Sequence, residues 1–347
     1  MTQADVAAAR ARLGNRVRRT PVMRVEANQL TGSHPAFWLK LESMQCTGAF
    51  KARGALNTLM AAAVIPPAGA CAASGGNHGL AVAWAARLMG VPASVLVPVT
   101  CPPIKMQRLA DYDADVTVIG KVFEESLASA EQFAAETGAL FVHPFDQPLA
   151  VAGVGTVTAE FSEQVPDLDT ILIAVGGGGL LAGALAALEG TATRAVAVEP
   201  SSARCLGAAL EAGRPVQVAV SGPAVDSLGV RRVGQLAFDA AIAHQVQHIG
   251  VTDEAITAAQ LSAWKELRIG LEAGGATALA ALLSGAYQPQ HNEMVGVVGC
   301  GGNVDMPAHA EGGLNGAFAR WVVREKETAR AVPESLVEHW ECVDATF

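Results

Sequence analysis

The feature that most constrains this chain is a regular alternation of short apolar runs with helix-like segments, several of them joined by glycine-rich turns. From residue 70 it reads as strand Ala70–Ala73, helix Asn77–Met89, strand Ser94–Val97, helix Pro102–Tyr112, strand Val116–Ile119, helix Phe123–Glu136 and strand Leu140–Val142. Pro102 and Pro103 suit a helix start, where the missing N–H has no intrahelical acceptor to lose. A second set follows: strand Thr170–Val175, four glycines, a helix to Leu188 and strand Arg194–Val198. Beyond these come a long helix capped by Thr252 and strand Met294–Val298. Asp253 and Glu254 favour that helix by opposing its N-terminal dipole. Strands this short and apolar are covered on both faces, so the alternation predicts an α/β fold with parallel sheets and helices on either side. Residues 201–237, with two prolines, read as irregular chain near a site.

A chain of 347 residues outgrows one core, so two compact lobes are expected. Hydrophobic residues make up 51% and charged residues 16%, enough apolar surface for a large interior. The formal net charge of −9 argues against a nucleic acid or an anionic membrane as partner, since both need a basic face. Ile171–Leu188 has the length of a minimal membrane span, but Gly176–Gly179 interrupt it, and a strand, a turn and a helix account for it better. The six cysteines, Cys46, Cys71, Cys101, Cys205, Cys300 and Cys342, form no CxxC pair and no zinc spacing. A reduced, cytoplasmic protein follows. The N-terminal arginines read as an ordinary helix that stops at Thr20-Pro21, not as a transit peptide.

Four features sit at or just beyond strand ends, where open α/β sheets bind ligands. The first is Thr47-Gly48-Ala49-Phe50-Lys51-Ala52-Arg53-Gly54. A lysine behind an aromatic residue is ordinarily a surface cation; in a stretch poor in charge it is a desolvated amine able to attack an aldehyde. The second is Ser74-Gly75-Gly76-Asn77-His78-Gly79, opening a helix. It is either a capped tight turn or a carboxylate site built on backbone N–H groups, and its His78 alone is more often structural than a base. The third is Gly176–Gly179, whose amides can close around a phosphate. Read from Gly177, the same residues fit the GxGxx[G/A] dinucleotide fingerprint, with Glu199 at the end of the next strand as the ribose acid, so an NAD-dependent oxidoreductase stands as a rival. The fourth is Cys300-Gly301-Gly302-Asn303, where a small thiol is either inert packing or faces a ligand.

Taken together, the chain resembles the pyridoxal-phosphate enzymes of fold type II, the tryptophan-synthase-β fold, and among them the threonine/serine dehydratases. The resemblance rests on LKLESMQCTGAFKARGA (39–55), SGGNHG (74–79), HPFDQP (143–148), VGGGGLLAG (175–183), VEP (198–200), LEAGGATA (271–278) and GCGGN (299–303), in family order. It implies two three-layer αβα domains with mostly parallel sheets: a discontinuous large one, 1–51 and 148–347, and a small one, 52–147. It also implies pyridoxal 5'-phosphate as cofactor. Lys51 would carry it as a Schiff base and act as the base at the substrate Cα. Phe50 would pack on its ring, Asn77 would bond the ring oxygen, and Gly176, Gly177, Gly178, Gly179 and the Leu180 amide would hold its phosphate. Cys300 would meet the ring nitrogen and Glu272 would lie near the ring. Ser74, Gly75, Gly76, Asn77 and His78 would hold the substrate carboxylate.

The reaction implied is an ammonia-lyase one: a small β-hydroxy amino acid, L-threonine and/or L-serine, loses water and yields a 2-oxo acid and ammonia. β-Replacement, or dehydration of 3-hydroxyaspartate or another hydroxyamino acid, is neighbouring chemistry on the same fold; a non-catalytic ligand-binding protein is the reading furthest from it. The resemblance implies a homodimer or homotetramer. Departures bear on it. Ala49 stands where the family motif has Ser, and Val154 where many threonine dehydratases have Gln. Gly75 stands where serine racemases carry a second catalytic serine, which argues against racemisation. Some relatives bind a divalent cation through the VEP glutamate and an acid six residues on; here Glu199 is followed by Cys205, leaving the metal open. The length after Gly302 is too short for a feedback domain.

Overall fold

The computed structural model describes residues 1–304; the stretch beyond, with Cys342 and the expected absence of a feedback domain, lies outside the described residues. The strands are β1 (Val22–Val25), β2 (Phe37–Leu41), β3 (Ala70–Ala73), β4 (Ala93–Val97), β5 (Asp115–Val118), β6 (Leu140–Phe141), β7 (Thr170–Ala174), β8 (Arg194–Pro200), β9 (Gln247–Val251) and β10 (Val295–Gly299). They form a six-stranded sheet, β1-β2-β10-β7-β8-β9, and a four-stranded one, β5-β4-β3-β6. Every pairing is parallel except β1 with β2. The expected α/β class with mostly parallel sheets is what the chain adopts.

The strand sequences explain their positions. Thr-Ile-Leu-Ile-Ala of β7 and Val-Gly-Val-Val-Gly of β10 are buried at every residue and sit in the middle of the larger sheet. Neither has the polar alternation of a half-solvated strand. Asp-Val-Thr-Val of β5, mostly exposed, closes an edge of the smaller sheet. The apolar stretch Ile171–Leu188 is β7, the glycine turn and the ten-residue helix Gly179–Leu188. Among the described residues no helix is long and apolar enough to cross a membrane.

Two expectations change. The N-terminal helix is Gln3–Leu13, held by a capping box between Thr2 and Asp5 and ended at Gly14, before the Thr20-Pro21 stop. Residues 201–237 are not irregular throughout: they contain the helices Cys205–Ala212 and Val225–Leu228 and the start of Gln235–Ala243. The first is capped from a distance, its Leu206 and Gly207 N–H groups donating to the Glu199 carboxylate at 2.8 and 2.9 Å. The third is capped by Asp146, which accepts from Gln235 and Leu236 at 2.9 Å each. Caps supplied by residues other than the one at the helix start leave no local signature.

Candidate active site

The turns after β3, β7 and β10 leave the carboxyl ends of their strands and line one cavity of about 320 Å³ with the start of the helix Lys51–Ala61. Phe50, Lys51, the run Ser74 to His78, the run Gly176 to Leu180, Glu272 and Cys300 all face it. Residues from five parts of the sequence are thus brought to one place.

Lys51 opens its helix and donates through Nζ to the Pro144 carbonyl. Its ammonium stands 5.1 Å from the centroid of the Phe50 ring. Burial lowers its pKa to about 8, against the opposing influence of Cys300 and Glu272. A free amine, the form that attacks a carbonyl, is therefore accessible near neutrality.

The glycine turn is closed around with little room. Gly178 has φ +88, and a Cβ there would lie 2.3 Å from the Ala237 side chain. A Cβ at Gly177 would enter the Phe145 ring at 2.2 Å. The helix Gly179–Leu188 starts with no side-chain cap, so its first N–H groups remain for an anion. At the second turn, Gly76 precedes the helix Asn77–Met89, and its own N–H donates to Ser74 Oγ at 3.1 Å. His78 Nε2 lies 2.8 Å from the Val142 carbonyl, and burial, reinforced by Lys51, pushes its pKa down to about 3. The imidazole is neutral and committed to the backbone; this turn offers N–H groups rather than a side-chain base.

At the far wall the Cys300 thiol is buried and donates to the Gly274 carbonyl at 3.5 Å. Burial, with Glu272 nearby, pushes its pKa up, so it keeps its proton. Burial also raises Glu272, to about 7, against the Asn77 amide that donates to Oε1 at 2.6 Å. At the rim, Lys105 pairs with Asp226. Sequence reasoning passed over this pair, because neither residue stands in a motif. It also gave Pro144 and Phe145 no role, although their HPFDQP segment was marked.

Glu199 and Cys205 do not join the cavity lining. The Glu199 carboxylate is fully buried and taken up by Leu206, Gly207, Cys205 at 3.6 Å and His248 at 2.8 Å. Surrounded by N–H and S–H donors, it does not fit a cation, and among the described residues no group of three or more His, Cys, Asp or Glu is placed to hold one. Nor does it offer itself to a ribose hydroxyl, so the dinucleotide reading loses its acid.

An aromatic aldehyde bearing a phosphate suits the cavity: a desolvated amine for the aldehyde, an uncapped helix start that admits no Cβ for the phosphate, and an uncharged thiol on another wall. Comparison with known proteins agrees. A family described as pyridoxal-phosphate dependent enzyme matches residues 14–301. The chain is 38% identical to L-threonine ammonia-lyase of Geobacter sulfurreducens over 298 residues, 85% of this chain and 74% of that one. It is 32% identical to L-threonine ammonia-lyase of Thermotoga maritima over 310 residues, 88% of this chain and 76% of that one. The structure of maize serine racemase superposes with a TM-score of 0.82 at 29% identity, over 95% of this chain and 99% of that one. With the family matched over most of its length and the cavity chemistry in accord, this chain belongs to the pyridoxal-phosphate dependent enzymes.

Proposed function

We propose that this protein is a lyase that removes water from a small β-hydroxy amino acid, L-threonine and/or L-serine, and releases a 2-oxo acid and ammonia. The observation that carries the proposal is the Lys51 amine, softened to a pKa of about 8 and facing the same cavity as the glycine turn and Cys300. The named likeness of the two ammonia-lyases supports the reaction.

When bound, the cofactor supplies an electron sink that lets a proton leave the substrate Cα and the hydroxyl leave Cβ. The chain's residues would do the rest. Lys51 would hold the cofactor covalently and, once displaced by substrate, take the Cα proton on Nζ. Gly176 to Gly179 and the Leu180 amide would bind the phosphate. Phe50 would pack on the ring and Asn77 would donate to its oxygen. Cys300, keeping its proton, would face the ring nitrogen without charging it, and Glu272 would stand beside the ring. The N–H groups of the turn Ser74 to His78 would orient the substrate carboxylate. Water leaves, and the unsaturated amine hydrolyses to the 2-oxo acid and ammonia.

One feature favours elimination over racemisation. A Cβ at Gly75 would come 2.3 Å from Cys101 Sγ, so a racemase-like serine fits there only if Cys101 moves. Further parts of the proposal are a cytoplasmic location, assembly as a homodimer or homotetramer, and the division into 52–147 and the remainder. For the last, β3 to β6 come from inside 52–147 and the other six strands from outside.

The decisive experiment is a 2-oxo-acid release screen with threonine, serine, phenylserine and 3-hydroxyaspartate, with and without added thiol. Release from threonine or serine without thiol is expected. No 2-oxo acid from threonine or serine sinks the proposal, and a thioether amino acid formed with thiol, in place of the 2-oxo acid, assigns β-replacement instead.

A further inference from the structure

Asn303 ends the GCGGN segment and had no role of its own. Its side chain occupies space that Gly48 leaves: a Cβ at Gly48, φ +73, would lie 2.5 Å from Asn303 Oδ1. Its Nδ2 donates to the Thr47 carbonyl at 2.6 Å and to Asn77 Oδ1 at 2.8 Å. Asn77 in turn donates through Nδ2 to Glu272 at 2.6 Å.

The direction of this chain of bonds follows from its first member. Amide oxygen and nitrogen can exchange places by a flip, so their assignment must come from partners that cannot. The Thr47 carbonyl is a backbone acceptor and has no alternative role. It requires the NH₂ of Asn303; that NH₂ requires the oxygen of Asn77; and Asn77 must then turn its own NH₂ to Glu272 and the cavity. Glu272 cannot impose this polarity alone. With a pKa raised to about 7 by burial, it is protonated part of the time and can donate as well as accept. Thr47 reaches its position with φ +61, a left-handed backbone uncommon for a β-branched residue.

We propose that Asn303 is a positioning residue that locks the Asn77 amide so that the cavity is offered an N–H donor and not a carbonyl. The donor is what an anionic ring oxygen of pyridoxal phosphate requires, so the proposal deepens the cofactor reading and rests on it for its function. In a flipped Asn77, the carbonyl would face both that oxygen and the Glu272 carboxylate.

The test compares purified holoenzyme with Asn303→Asp, which keeps the shape and loses the donors, and Asn303→Leu, which loses them without adding charge. Three quantities are read: cofactor retention on dilution, the pH dependence of the bound cofactor's visible absorption, and the Glu272 titration by carboxyl carbon NMR. Asn303→Asp is expected to weaken retention about tenfold or more and to shift the absorption profile, the scale of a lost hydrogen bond to a charged group. Asn303→Leu is expected to fall between it and the unaltered protein, with the Glu272 pKa moved upward because its donor is released. Should the Asp variant not fold, the Leu variant carries all three readouts. An absorption profile and a Glu272 titration unchanged in both variants, with only thermal stability lowered, overturns the proposal and leaves Asn303 an anchor for Thr47. If the unaltered protein binds no pyridoxal phosphate, the cofactor reading fails separately; an upward Glu272 shift in Asn303→Leu still upholds the lock, and no shift overturns it.

Discussion

Lys51 and Arg53 stand two residues apart on one helix and meet opposite fates on burial. Arg53, 1% exposed, donates to both oxygens of Glu42 at 2.9 and 2.7 Å and to Glu160 at 3.1 Å. Lys40 joins the same cluster, pairing with Glu160 and donating to the Thr20 carbonyl at 2.9 Å. Burial pulls the Arg53 pKa down, but Glu42 and Glu160 outweigh it and the net direction is up. Burial likewise pushes Glu160 up, and Arg53 and Lys40 bring it below its ordinary range. Around Lys51, by contrast, Cys300 keeps its proton, and Glu272 is half neutral near pH 7, so burial prevails and the amine softens. Opposite charges within hydrogen-bond reach oppose the cost of burial, outweighing it at Arg53 and only partly offsetting it at Lys40, whose pKa burial still lowers. One face of this helix carries a fixed structural charge; another carries a reactive amine.

Removing each basic residue should break the comparison in its own way. Lys51→Ala is expected to lower 2-oxo-acid release by at least about a thousandfold, with loss of the visible absorption and little change in Tm. Retention of both signals removes Lys51 from the chemistry. Arg53→Met should instead cost about 3–5 kcal/mol of stability in urea unfolding, because Glu42 is left buried without its cation and Glu160 keeps only Lys40. A loss below about 1 kcal/mol would mean that water reaches the pair.

The pH dependence of stability should have opposite signs in the two regions. Glu272 is raised from 4.5 to about 7 in the folded chain, so the native state holds a proton that the unfolded state has released across that interval. Its contribution is full below about pH 4.5 and is lost as pH rises to about 7; Glu272→Gln should flatten this slope in unfolding titrations. Glu160 is lowered, so its contribution is present above its ordinary range and is lost as pH falls through its folded pKa. A Glu160→Gln protein that still loses stability equally in acid would place that loss elsewhere. The smallest effect is expected at the rim. Lys105→Met should change stability by less than about 1 kcal/mol, since Asp226 is 59% exposed and solvent screens the pair. A larger change in urea unfolding would show that the rim is built more like the Arg53 cluster.

Much of the site was legible before the fold was known. Gly176–Gly179 announced itself because a close-packed glycine turn makes local demands: positive φ at Gly178, no room for a Cβ and uncapped N–H groups at a helix start. Lys51 was the weaker signal and gained meaning from its company with the other motifs. Other features had no such trace. Glu199 looked like a ribose ligand by spacing, and the family resemblance left a metal there open, whereas it caps the helix Cys205–Ala212 and bonds His248, 49 residues away. The helices inside 201–237 were hidden for the same reason. Lys105 and Asp226 lie 121 residues apart in regions that carry no motif.

Thus the amino-acid sequence by itself determined the alternation of strands and helices, the glycine turn and the presence of a lysine in a charge-poor segment. These depend on neighbours within a few residues, through backbone conformation and hydrophobic period. Only the tertiary structure decided which charges remain charged, which carboxylate caps a helix and which way the Asn77 amide points. Each of those is a hydrogen bond or ion pair that no local pattern announces, from Glu199 seven residues ahead of Leu206 to Asn77 and Asn303, 226 residues apart, and its strength exists only where folding has excluded water around both partners.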